Sequence, residues 1–245
     1  MLIICNGMIR SGSTLQYNMA RLLVTGTQRG RGHGFFSRRK LHRLNRIGRW
    51  STSRSHHVIK MHDLLDSEDI NRYQPRFLYI YRDIRDVAAS LKLKYNRTGE
   101  DLLRSTDRAM DIYDQIRVMP NVLWQQYEKI MSDLASAIDQ IATFLEIEIS
   151  DEIRLSIAQE CSLDNQQQIM RNLEKGLLHR MKKLFIRKIR QGHFYDSKTL
   201  LHDNHISKNL GTPGSWRHEL DLAESELLQS KYKDWLQEHG YSILP

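Results

Sequence analysis

The most constraining stretch of this chain is Leu2-Ile3-Ile4-Cys5-Asn6-Gly7-Met8-Ile9-Arg10-Ser11-Gly12-Ser13-Thr14. Residues 2–5 are apolar and β-favouring at every position, which suits a parallel strand buried on both faces. Gly7 and Gly12 accept backbone angles that other residues resist. Ser11, Ser13 and Thr14 place hydroxyls where a helix begins, so a helix is expected from about Ser13. A loop of this kind turns several backbone N–H groups toward one point, and the helix dipole adds positive potential there. The stretch therefore predicts an anion site, for phosphate or a similar group.

The spacing nearly satisfies the phosphate-loop pattern G-x-x-x-x-G-K-[ST], with Gly7, Gly12 and Thr14 in their slots. Ser13 occupies the lysine slot, and the cation is Arg10, inside the loop. A nucleotide hydrolase or kinase uses that lysine on the β/γ-phosphates together with Mg²⁺. Its replacement argues against ordinary nucleotide hydrolysis and for an anion with a different charge layout. The bland alternative is a strand–turn–helix junction with no ligand.

Further strands are expected at 58–60, 77–81 and 122–124, with helices at 67–73, 87–95, 100–118, 130–146, 151–160 and 221–239. Strands alternating with helices predict a three-layer α/β fold. Its central, mostly parallel sheet of four or five strands is flanked by helices, as in phosphate-loop nucleotide-binding proteins. The 245 residues suffice for one domain, 1–245, carrying basic insertions at 27–55 and 171–191. The first insertion reads as a long excursion with a short helix at about 38–47. The second reads as a basic amphipathic stretch suited to a membrane surface or an acidic acceptor. In such sheets ligands gather at the carboxyl ends of the strands. Arg10, Lys60, His62, Arg82 and Tyr127 all lie just past a predicted strand end.

Charge is unevenly placed. Residues 1–62 hold 12 of the 37 Lys and Arg and none of the 29 Asp and Glu. A concentrated positive field attracts anionic partners without naming them. Nucleic acid is disfavoured, because no nucleic-acid fold motif accompanies the arginines and few aromatics are interleaved with them. The two cysteines cannot make a disulfide framework. With no secretory leader and no membrane-length apolar run, a cytoplasmic setting is expected.

In order along the chain, these pieces resemble the sulfotransferases that use 3′-phosphoadenosine 5′-phosphosulfate (PAPS). Their phosphosulfate loop is similar to Ile9-Arg10-Ser11-Gly12-Ser13-Thr14. Their 3′-phosphate motif is similar to the segment from Arg82 to Ser90, Arg-Asp-Ile-Arg-Asp-Val-Ala-Ala-Ser. Lys60-Met61-His62 resembles their Lys-x-His, and Tyr127-Glu128 the Tyr-Glu whose tyrosine lies near the adenine. Gly211-Thr212-Pro213-Gly214-Ser215-Trp216-Arg217 resembles the glycine loop that closes over the cofactor. There are departures. Arg10 stands where lysine is usual, Leu15 replaces a frequent tryptophan, and Asn209-Leu210 replaces Arg-Lys. Lys208 and Arg217 are the cations left to substitute there.

The resemblance implies in-line transfer of a sulfuryl group from PAPS, without metal, to an acceptor hydroxyl or amine. The acceptor could be a small molecule, a glycan or a lipid. Arg10 would stabilise charge on the leaving phosphate, and Lys60 would neutralise the sulfuryl or bridging oxygens. His62 would take the acceptor's proton, with Asp63 as the rival base. Arg82 and Ser90 would hold the 3′-phosphate. The competing readings are a kinase-like phosphotransferase and a basic module that binds nucleic acid or acidic lipid. Oligomeric state is open.

Overall fold

The structure, a computed structural model, describes residues 1–175, 196, 198–201 and 209–243. Five strands form one sheet: β1 (Leu2–Gly7), β2 (Gly30–Phe35), β3 (His56–Lys60), β4 (Arg76–Tyr81) and β5 (Val122–Gln126). The order is β2-β3-β1-β4-β5, and each neighbouring pair is parallel. In the first half of the chain lie helices α1 (Ser13–Gly26), α2 (Arg38–Arg43), α3 (Arg46–Ser51), α4 (Ser67–Tyr73), α5 (Ile84–Tyr95) and α6 (Gly99–Arg117). After β5 come α7 (Tyr127–Ser132), α8 (Leu134–Phe144), α9 (Asp151–Cys161) and α10 (Leu163–Lys175). The last described helices are α11 (Trp216–Glu219), α12 (Leu222–Lys231) and α13 (Lys233–Glu238).

Strand periodicity divides the core between the two sheet faces. Leu2 and Ile4 of β1, with Phe77 and Tyr79 of β4, pack against α2–α6 and α11–α13. Ile3, Cys5, Leu78 and Ile80 pack against α1 and α7–α9. Covering both faces is what makes these strands read as unbroken apolar runs. No helix among the described residues is long and apolar enough to cross a membrane.

Residues 27–55 correct the sequence reading. They are not a loop excursion but supply the edge strand β2 together with α2 and α3. The run Gly-Arg-Gly-His-Gly-Phe lacks strand-like residues for a steric reason. A Cβ on Gly30 would lie 1.9 Å from the carbonyl oxygen of His56, and one on Gly32 would lie 2.5 Å from Cγ of Arg21. Glycine is what lets β2 lie against β3 and α1. Gly30→Ala is expected to cost about 1–3 kcal/mol, as overpacking against unyielding neighbours does. Urea unfolding would read this as a lowered midpoint at unchanged slope.

Two expected helices are interrupted. Residues 130–146 divide at Asp133, whose side chain accepts from the Ser136 N–H and starts α8. Residues 221–239 divide at Tyr232, whose hydroxyl donates to Asp107. The basic stretch 171–191 beyond residue 175, and Lys208, lie outside the described residues.

Candidate active site

The loop after β1 is braced from within. Ser11 Oγ lies 2.6 Å from the carbonyl oxygen of Met8 and 3.0 Å from that of Ile80, and the residue is fully buried. Its hydroxyl therefore serves the loop's own shape. Gly12 takes φ 92°, and Arg10 takes φ 66°, a left-handed conformation that non-glycine residues seldom adopt. Residues held this way cluster at ligand sites, where surrounding structure enforces them. The first N–H groups of α1 have no partner within the helix, and no acidic side chain occupies its first turn.

Strand β4 delivers the second element. Arg82, 3% exposed, follows its end, and about two helical turns further on, in α5, Ser90 is also buried. Arg10 Nε donates to Ser90 Oγ at 2.9 Å, which joins the β1 loop to α5. The Arg82 guanidinium lies over the Tyr127 ring, 4.4 Å from its centroid, and Nη2 donates to the carbonyl oxygens of Gly211 and Thr212, each at 3.1 Å. Tyr127 reaches the same segment, its hydroxyl donating to the Gly211 carbonyl at 3.0 Å. Arg10, Gly12, Arg82, Ser90, Tyr127 and Gly211 thus line a single cavity of about 210 Å³.

That cavity suits an anion. Burial lowers the pKa of Arg10, and the charge of Arg82 pushes the same way. Two like charges facing one space are relieved by a negative group between them. Arg82 Nε is buried with no hydrogen-bond partner, an orphan that a bound acceptor atom would satisfy. The walls are close-fitted: a Cβ on Gly12 would lie 2.8 Å from the Tyr127 ring, and one on Gly211 2.3 Å from the Tyr127 hydroxyl. These residues fit a phosphorylated nucleotide such as PAPS.

Lysine reaches the loop from a neighbouring strand. Lys60, at the end of β3, donates to Thr14 Oγ1 at 2.5 Å, on the first turn of α1. Burial brings its pKa down to about 8, and the charge of Arg10 adds to the shift. The loop, with Ser13 in its lysine slot, thus has a cation beside the neighbouring Thr14, brought by tertiary structure.

Other expected site residues lie elsewhere. Ser11, Ser13 and Thr14 do not line the cavity with their side chains, so any part they take there falls to backbone N–H groups. Arg217, a cofactor contact by resemblance, instead stacks on Trp216 at 4.6 Å and donates to Ser242 Oγ at 3.3 Å, outside the cavity. His62 lines a second, open cavity of about 680 Å³ beyond the end of β3, beside the exposed Phe35 at 5.5 Å between ring centroids. Its pKa is lowered, first by the crowding of surrounding protein and then by Lys60, while Asp63 opposes. His62 and Lys60 are therefore within electrostatic reach of each other, although the two cavities are distinct.

Two sets of residues escaped the sequence reading. Asp86, 1% exposed, accepts from the N–H of Gly214 at 2.7 Å, from Ser215 Oγ at 3.1 Å and from the N–H of Trp216 at 3.0 Å. It also faces Arg82 at 3.4 Å. From sequence it reads only as the i,i+4 partner of Arg82; in the fold it staples the glycine loop down. The far wall of the cavity comes from α7–α10 and includes Met131, Leu134, Cys161 and Gln166. Those are ordinary helix residues with no local signature.

Comparison with solved structures gives the same fold. Retinol dehydratase in complex with androsterone and inactive cofactor PAP superposes with TM-score 0.58 at 16% identity, over 100% of this chain and 82% of that one. Mouse sulfotransferase SULT7A1 complexed with PAP gives 0.59 at 16% identity, over 96% and 84%. Retinol dehydratase with retinol and PAP gives 0.56 at 16%, over 100% and 83%. No curated protein matches the sequence. The family model of the sulfotransferase domain matches residues 2–240. The chain belongs to the sulfotransferase domain family and is an enzyme that transfers a sulfuryl group from PAPS.

Proposed function

We propose that the cavity between the β1 loop and α5 is the donor site and that the cavity beside His62 receives the acceptor. The observation that carries this is the convergence of Arg10 and Arg82, from two different strand ends, on one space. When bound, PAPS supplies the sulfuryl group and leaves as 3′-phosphoadenosine 5′-phosphate (PAP).

Arg82 and Ser90 hold the 3′-phosphate, the guanidinium by charge-assisted hydrogen bonds that include the orphaned Nε. Arg10 and the N–H groups opening α1 take up negative charge at the 5′ end, where preorganised donors act without reorganising. Lys60 adds its charge at the same loop. Tyr127 places a ring against Gly12 and the guanidinium of Arg82, beside the adenosine. His62, kept neutral, accepts the proton of the incoming hydroxyl or amine; Asp63 is the alternative base.

These assignments set a pH profile. Lys60 has its pKa lowered to about 8, so its charge is present below that value and lost above it. His62, lowered from the imidazole value of 6.5, is unprotonated well into mild acid. In kcat/KM for PAPS, which reports free-enzyme groups, the alkaline limb should fall near pH 8 and be absent from the lower profile of Lys60→Met. The acid limb should lie below about pH 6 and vanish in His62→Ala. Steady-state rates with wild type and both variants check this. An acid limb unchanged in His62→Ala would transfer the base role to Asp63.

The kinase-like alternative is tested by calorimetry without divalent metal. PAP should bind in that buffer. Tighter binding of ATP with Mg²⁺ than of PAP would favour the phosphotransferase.

A further inference from the structure

The cavity beside His62 differs in kind from an apolar slot. Among its lining residues Arg39 belongs to α2 and Arg108 to α6, so two guanidinium groups come to the cavity from two different helices. Among the described residues neither has a hydrogen-bond or ion-pair partner, whereas Arg38 in the same wall is paired with Asp66 at 2.6 Å. Asp63 and Asp111 also line the space, together with serine and glutamine. Polar and apolar surface line it about equally, with Leu64, Leu65 and Ile112 among the apolar contributors. The exposed ring of Phe35 stands beside that of His62.

We infer that the acceptor is an anionic saccharide: a sugar chain carrying carboxylate or sulfate groups, which offers a hydroxyl or amine to His62. Three features of the chemistry select it. The unpaired guanidiniums of Arg39 and Arg108 have the planar donor geometry that matches carboxylate or sulfate oxygens. Asp63 and Asp111 are acceptors for hydroxyl donors, which a sugar supplies in numbers and an aliphatic or steroid acceptor does not. An open cavity with polar and apolar surface in about equal share admits a chain that extends past the reacting group, and the exposed ring of Phe35 offers a face to the apolar side of a sugar ring. An acidic peptide presenting tyrosine would instead call for an apolar slot around the phenol. Helix α2 carries further basic residues, Lys40 and Arg43, which add to the positive field on this side.

The inference rests on the donor assignment above, and the experiment separates the two. PAP affinity is measured by calorimetry, and sulfuryl transfer from PAPS is measured to four acceptors. These are an oligosaccharide containing glucuronic acid, its carboxyl-reduced counterpart, a tyrosine-containing acidic peptide and a simple phenol. The glucuronate acceptor is expected to exceed its reduced counterpart by about tenfold or more in kcat/KM, the worth of one hydrogen-bonded charge pair. Arg39→Ala and Arg108→Ala should each remove about tenfold with the glucuronate acceptor. They should leave the reduced acceptor and PAP affinity unchanged, a split that general damage to the fold would not produce. Preference for the phenol or the peptide, equal loss with both sugars, or no transfer to the glucuronate acceptor while PAP binds, would overturn the inference. Failure of the wild-type protein to bind PAP would overturn the donor assignment and, with it, this reading of the neighbouring cavity.

Discussion

Arg82→Ala should weaken PAP binding by about a hundredfold or more. Two charge-assisted hydrogen bonds to a phosphate contribute roughly 3 kcal/mol together, and each 1.4 kcal/mol is a factor of ten. The substitution also removes the donor to Gly211 and Thr212 and the cation over Tyr127, so the loop above the cavity loosens. Arg82→Lys keeps the charge but not the planar fork, and should recover only a minor part of the loss. A control locates the effect. Adenosine 5′-phosphosulfate lacks the 3′-phosphate, so its weaker binding should change far less between wild type and Arg82→Ala. Equal losses for the two ligands would mean that Arg82 acts on the loop alone.

Asp86→Asn should be the most damaging substitution outside the cavity. The carboxylate accepts from three donors of the glycine loop and balances a buried arginine. Asparagine is nearly isosteric, yet it turns an N–H₂ toward N–H groups on one side. A buried donor left unsatisfied costs about 1–3 kcal/mol, and removing one partner of a buried ion pair costs about 3–5 kcal/mol. Stability should fall by several kcal/mol. In protein that remains folded at low temperature, KM for PAPS should rise more than kcat falls, because the loop carrying Gly211 is no longer held. Ser215→Ala removes one of the three donors and should cost about 1 kcal/mol. If Asp86→Asn and Ser215→Ala proved equally mild, the staple would not be what fixes the loop.

Legibility followed the range of the interactions. Strands β1 and β4 were visible because burial on both faces leaves mostly apolar side chains; β5, at the sheet edge and mostly half-buried, was visible only through Val122, Leu123 and Trp124. The anion loop was visible because backbone geometry and helix start are encoded within a dozen residues. Arg82 was singled out by its place at a strand end, and Ser90 only by resemblance to the 3′-phosphate motif. Strand β2 was not. Gly30 and Gly32 answer to His56 and Arg21, residues distant in sequence, so the run carries a turn-like composition in an extended strand. The helix breaks at Asp133 and Tyr232 depend on a cap and on a hydroxyl bonded across the fold. Lys60 beside Thr14 is likewise a tertiary fact: sequence showed a loop without its lysine, and the neighbouring strand carries one there. Arg217 lies apart from the other expected site residues. Its motif position suggested a cofactor contact, while the turn after Gly214 aims it at Ser242.

The most direct measurement is a crystal structure of the protein with PAP. One molecule should span the cavity, with its 3′-phosphate bonded to Arg82 and Ser90 and its 5′-phosphate at the N–H groups opening α1, next to Arg10. PAP bound anywhere else, or touching the β1 loop while leaving Arg82 Nε without a partner, would contradict the account.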